Sequence, residues 1–132
     1  MADCNGTQLW YERQGQGQPL LYCNGSGATL ESARPILERL AGSFEVVAFD
    51  HRGMGRSPLS AGPYDMADLA ADLEALLDGL GWEQCRLVGL SFGGMVAQEL
   101  AVTHPDRVER LALLSTSPGG AFPSYPLEEL AD

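Results

Sequence analysis

Cys85-Arg86-Leu87-Val88-Gly89-Leu90-Ser91-Phe92-Gly93-Gly94-Met95-Val96-Ala97-Gln98-Glu99-Leu100 decides how the rest of the chain is read. An apolar run of strand type enters Gly-Leu-Ser-Phe-Gly, and a helical pattern follows at once. In that setting G-x-S-x-G has a mechanical meaning. The chain turns so sharply at Ser91 that a side chain at Gly89 or Gly93 would crowd it, and glycine has no Cβ to do so. The turn lifts the Ser91 hydroxyl off the end of a strand and onto the start of a helix. The backbone N–H of Phe92 is then free to face an incoming oxyanion.

The flanking sequence supplies elements of the matching kind. Leu20 to Cys23 reads as a short buried strand and runs into the glycine-rich corner Asn24-Gly25-Ser26-Gly27. Helical spacing follows at Ile36, Leu37 and Leu40, with Pro35 expected in the first turn and Gly42 at the end. Phe44 to Phe49 is a continuous β-type run of the kind that is buried on both faces in a parallel sheet. Asp65 is placed to cap a helix, with Asp68 three residues on as a capping box. That helix carries Leu69, Leu73, Leu76, Leu77 and Leu80 at three- and four-residue steps, and Gly79 and Gly81 close it. After the Ser91 helix, which runs to about Thr103, Val108 to Leu114 reads as another buried strand. Near the start, Thr7 to Arg13 alternates as a single strand. Strands alternating with helices mean a mostly parallel sheet with helices on both faces, an α/β fold.

The elements in this order, together with the Gly89–Gly93 turn, resemble the α/β-hydrolase fold enzymes over nearly the whole chain. The resemblance implies a serine nucleophile at Ser91 and a second oxyanion N–H from the loop after the earlier strand. Family members typically carry His-Gly-x there; this chain has Asn24-Gly25-Ser26, and the donor by position is the backbone of Ser26, paired with that of Phe92. The same loop is also similar to that of C–C bond hydrolases. Asp50-x-Arg-Gly-x-Gly-x-Ser57 resembles the family's loop after the next strand. It lacks the third glycine of a dinucleotide fingerprint and opens no helix, so Asp50 and Arg52 are expected to fix a tight corner.

The resemblance covers the N-terminal six or so strands and their helices. The C-terminal strands and the cap body, the acid and the histidine of the family are not matched. His51 and His104 are the only histidines, neither stands at the family's position, and neither is expected to serve as the base. Ser115-Thr116-Ser117 follows the strand after which some members place the acid, and it has no carboxylate. Residues 1–118 are therefore expected to form the N-terminal part of a hydrolase core, and residues 119–132 a linker and the start of a cap helix. A complementary C-terminal segment or second chain is expected to cover the open apolar sheet edge at Leu114. Such a chain alone would be inactive.

Composition narrows the classes further. A chain of 132 residues holds one domain with a real core. Its net charge of −10 argues against nucleic acid and anionic membrane surfaces as partners. The three cysteines, Cys4, Cys23 and Cys85, are odd in number and show no C-x-x-C, so reduced thiols in a cytoplasmic protein are expected. The histidines and cysteines have no metal-ligand spacing, so no metal site is expected, and no cofactor. A small-molecule acyl substrate is expected, an ester, lactone or related compound. Two alternatives stay open: a non-catalytic fragment or interaction module, and a cofactor-free perhydrolase or C–C bond hydrolase.

Overall fold

The computed structural model describes residues 1–60 and 62–118. It opens with an antiparallel hairpin, β1 (Ala2–Cys4) and β2 (Thr7–Leu9), in which Ala2 faces Leu9 and Cys4 faces Thr7. Asn5 and Gly6 turn it with positive φ angles of 49° and 77°, the geometry of a two-residue hairpin turn. The single strand expected over Thr7–Arg13 is broken at Trp10. The Trp10 N–H donates to Ser57 Oγ (2.8 Å), so it joins no strand ladder. β3 (Tyr11–Gln14) resumes beyond it.

The remaining elements are β4 (Gln18–Cys23), α1 (Leu30–Leu40), β5 (Phe44–Phe49), α2 (Met66–Leu80), β6 (Cys85–Leu90), α3 (Phe92–Thr103), a 3-10 turn (Pro105–Arg107) and β7 (Val108–Leu114). Strands β3 to β7 form one sheet in the order β3-β5-β4-β6-β7, antiparallel at β3 and parallel elsewhere. The fold is thus α/β with a mostly parallel sheet. β4 pairs with both β5 and β6, so the chain winds outward first one way and then the other from β4. The carboxyl ends of β4 and β6, where Cys23 pairs with Gly89, flank that switch point, which is where open α/β sheets bind ligands.

The period of two along β4 and β5 divides the core cleanly. Leu20, Tyr22, Val46 and Ala48 face α1 and pack on Leu30, Ala33 and Leu37. Leu21, Cys23, Val47 and Phe49 face the opposite way, onto Leu69, Leu73, Leu76 and Leu77 of α2 and Val96, Ala97 and Leu100 of α3.

The helix ends follow from local chemistry. The Asp65 carboxylate accepts from the Asp68 N–H (2.9 Å), and the Asp68 carboxylate accepts from the Asp65 N–H (3.0 Å), as the capping box requires. Gly81, left-handed at φ 73°, ends α2, whereas Gly79 lies inside the helix and closes nothing. Pro35 also departs from expectation. α1 begins at Leu30, so Pro35 is interior rather than in the first turn. It lies on the solvent side, where the carbonyl it leaves without a partner is open to water.

Val108–Leu114 forms a strand as expected and stands at the open apolar edge expected at Leu114, which leaves it exposed rather than buried. β7 is the sheet's edge and is exposed along nearly its whole length, with Leu111, Leu113 and Leu114 at 37%, 38% and 44% exposure. No neighbour among the described residues lies beyond it. The linker and cap-helix start expected over 119–132 lie outside the described residues.

Candidate active site

Ser91 joins β6 to α3 as the residue preceding the first helical position, with φ 52° and ψ −118°. A side chain at positive φ is strained, and such strain persists only where the surroundings over-determine it. Those surroundings are glycines chosen for space. Neither Gly89 nor Gly93 has positive φ. A Cβ on Gly93 would run into the carbonyls of Cys23 and Asn24 at the end of β4, and one on Gly89 would meet Gly93 O at 2.8 Å and Ala97 Cβ at 2.9 Å. The elbow is therefore pressed directly onto the neighbouring strand and its own helix.

The result is an exposed Ser91 hydroxyl with no hydrogen-bond partner among the described residues. It stands at the amino end of a 12-residue helix, whose dipole favours negative charge there. The Phe92 N–H, being the first of that helix, has no acceptor within the helix.

The loop after β4 comes up against this point. Gly25 is close enough that a Cβ on it would lie 3.5 Å from Ser91 Cβ. Asn24, buried at 4% exposure, shapes the loop with its side chain. Its Nδ2 donates to Thr29 O (2.7 Å), and its Oδ1 accepts from the Gly25 N–H (3.1 Å). The Ala28 N–H donates to Gly25 O (3.2 Å). With the Gly25 N–H spent on Asn24, Ser26 offers the next amide in an exposed position. Sequence reasoning noted Asn24 only as a replacement; its two side-chain bonds span the loop, and no motif announces them.

His51 is the other group that sequence reasoning left aside. It is 2% exposed, with its ring edge-on between Phe49 (4.9 Å) and Phe92 (5.5 Å). Its Nε2 lies 3.0 Å from Asn24 O, a pure acceptor, so Nε2 carries the proton. Burial pushes the imidazole below its ordinary pKa, against the hydrogen bond to Asn24 and the charges of Asp72 and Asp50. His51 thus braces the Asn24 backbone from below. His104 caps the far end of α3 and lies 3.1 Å from Glu74 of α2. A helix of 12 residues separates it from Ser91, about 18 Å.

The corner after β5 is knotted as expected for Asp50 and Arg52. The Asp50 carboxylate accepts from the Leu30 N–H (2.7 Å) at the start of α1 and from the Arg56 N–H (3.0 Å). Ser57 Oγ donates to Asp50 O (2.6 Å). Arg52 grips Asp72 of α2 with two nitrogens, both partners nearly fully buried (2.7 and 2.5 Å); that bond raises the Arg52 pKa. The buried thiols are held protonated: desolvation raises Cys4 and Cys85 to about 11, and Cys23 well above its ordinary value.

No group of three or more His, Cys, Asp or Glu residues among those described could hold a metal ion. No helix among them is long and apolar enough to cross a membrane. An open groove of about 580 Å³ lined by Asp78, Trp82, Gln84 and Arg107 sits at the amino ends of β6 and β7, away from Ser91.

A parallel sheet wound both ways from β4, with a strained serine elbow and a loop converging at its switch point, defines an α/β protein with a site in the crevice at the strand carboxyl ends. Residues 18–131 match the family model of the alpha/beta hydrolase fold, and the chain belongs to that family. A poly(3-hydroxyalkanoate) depolymerase of Ectopseudomonas oleovorans is 41% identical over 104 residues, 79% of this chain and 37% of that protein. A soluble epoxide hydrolase of Corynebacterium sp. (strain C12) is 34% identical over 128 residues, 96% of this chain and 45% of that protein. The crystal structure of the enol-lactonase from Burkholderia xenovorans LB400 superposes with a TM-score of 0.83 at 35% identity, over 86% of this chain and 45% of that one. The chain spans less than half the length of each.

Proposed function

We propose that this chain is the nucleophile-bearing portion of a cytoplasmic serine hydrolase acting on an ester, lactone or related acyl substrate. The observation that carries this reading is Ser91: an exposed hydroxyl on a residue held at φ 52° between a strand and a helix. Ser91 Oγ attacks the substrate carbonyl carbon. The N–H groups of Phe92 and Ser26 hold the oxyanion that forms, and the leaving group departs with a proton. Water then attacks the acyl-enzyme and frees the acid, restoring Ser91. The lactonase name among the structural neighbours supports the substrate class.

The proton must go to a base, and His51 is committed to Asn24. The histidine and its acid therefore come from a further polypeptide segment, and the exposed leucines of β7 favour that edge as the place where the segment pairs. The three buried, unpaired thiols favour a reducing compartment.

The test is turnover of p-nitrophenyl acetate and labelling by a fluorophosphonate, in this chain alone and assembled with that segment. Activity should appear only in the assembly, because loss of the base lowers kcat by about 10⁶. Ser91→Ala should abolish both turnover and labelling. Turnover that survives Ser91→Ala would refute the nucleophile assignment, and an assembled protein that resists the probe would favour a non-catalytic binding module.

A further inference from the structure

The residues after β7 close over the back of the elbow. Ser115 takes a left-handed φ of 48° and bends the chain as it leaves the sheet. Thr116 Oγ1 then donates to the carbonyl of Ser91 at 2.6 Å. The same carbonyl accepts from the Gly94 N–H (2.9 Å) and, more weakly, from the Met95 N–H (3.3 Å), and the Ser91 N–H donates to Leu114 O (2.9 Å). Both backbone groups of the strained residue are thus tied to the end of β7. The space for this is made at Gly94, where a Cβ would lie 2.5 to 2.6 Å from the Thr116 side-chain atoms. The tie is itself anchored. Gln98 Nε2, one helical turn beyond Gly94, donates to Gly94 O (3.1 Å) and to Ser117 O (2.9 Å), clamping the residue after Thr116 to α3.

We propose that Thr116 is a positioning residue for the nucleophile: its hydroxyl holds the Ser91 carbonyl, and so fixes the φ/ψ pair that aims Ser91 Oγ and the Phe92 N–H. This rests on Ser91 being the nucleophile. The peptide plane that carries the Ser91 carbonyl also carries the Phe92 N–H. A donor that fixes one therefore orients the other, the oxyanion donor. Thr116 touches no substrate and acts through that plane alone. No residue pattern points to it: a threonine in a Ser-Thr-Ser-Pro loop is ordinary, and only the pairing of Oγ1 with the Ser91 carbonyl and the notch at Gly94 gives it a task.

Thr116→Ala removes the hydroxyl without adding bulk, Thr116→Val puts a methyl against the carbonyl, and Thr116→Ser keeps the donor. On the assembled enzyme with p-nitrophenyl acetate, Ala and Val should lower kcat roughly five- to tenfold, the range one hydrogen bond supplies. KM should stay within about twofold, since the loss falls on the transition state. Ser should restore kcat to within about twofold of the parent. A parent-like kcat in Thr116→Ala overturns the proposal, as does a Thr116→Ser variant as slow as Ala. Should Val fail to fold, the Ala–Ser pair decides alone. Ser91→Ala, run alongside, separates the two claims: if it abolishes turnover while Thr116→Ala does not lower kcat, only the positioning role is lost. If Ser91→Ala leaves turnover intact, the nucleophile reading fails and the Thr116 role falls with it.

Discussion

Two glycine-rich turns leave the same end of the sheet, residues 50–57 after β5 and residues 89–94 at the junction of β6 and α3. In the first, polar groups are consumed internally: Asp50 caps α1 and holds Arg56, Ser57 links Asp50 to Trp10, and Arg52 is buried against Asp72. In the second, the backbone is held as firmly, by Leu114, Thr116 and the close approach to β4, but the Ser91 hydroxyl is left exposed. Similar composition thus yields a rivet in one place and a presented functional group in the other. Satisfied polar groups rigidify, and a strained residue with a spare hydroxyl is the arrangement chemistry needs.

The sharpest way to break this contrast is at the rivet. Asp72→Ala leaves the Arg52 guanidinium buried without its partner and should destabilise the protein by about 3–5 kcal/mol in urea unfolding. A loss under about 1 kcal/mol would mean that the corner is not held this way. At the elbow, Gly93→Ala forces a methyl into two strand carbonyls and should cost about 1–3 kcal/mol with most of the turnover gone. Gly25→Ala, whose new methyl reaches only ordinary contact with Ser91, should shift stability by less than about 0.5 kcal/mol. Equal effects at the two glycines would contradict the packing described.

A subtler effect, visible only as a pH dependence, lies at His51, whose ring reaches from the first turn to Asn24 and Phe92. Its folded pKa is below 6.5, so below that pH the unfolded chain binds the extra proton and stability falls with pH. His51→Gln, which keeps a donor for Asn24 O, should flatten the decline between about pH 7 and about pH 5. The difference in slope is capped by one proton, about 1.4 kcal/mol per pH unit. Identical slopes would show that His51 does not titrate in this range.

The strand, helix and elbow assignments were legible because each rests on local pattern: Phe44–Phe49, the leucine spacing of α2, the glycines around Ser91. The misreadings share a different origin. Trp10 breaks its strand because its amide is taken by Ser57, 47 residues away. α1 starts early, ahead of Pro35, where a Thr29–Ser32 capping box and Asp50, 20 residues away from Leu30, together hold its first amides. β7 has the sequence of a buried strand, but the open edge expected at Leu114 leaves its leucines exposed, and what lies beside it is encoded by no residue within the strand. For the site, Gly89, Ser91, Phe92 and Gly93 follow from a motif with a mechanism, whereas Thr116 and the Asn24 side chain act through single long-range or loop-spanning bonds that leave no periodic trace.

The Asp50–Leu30 bond has one more consequence. Helix ends ordinarily fray, and here the start of α1 is stapled to the end of a strand formed later in the chain. The loop from Asn24 to Thr29 is therefore fixed at both ends, by β4 on one side and by Asp50 on the other. Local opening that frees residues 50–57 also frees the start of α1, and with it the loop beside Ser91, as one cooperative unit. The turn that does no chemistry sets how often the one beside Ser91 comes apart.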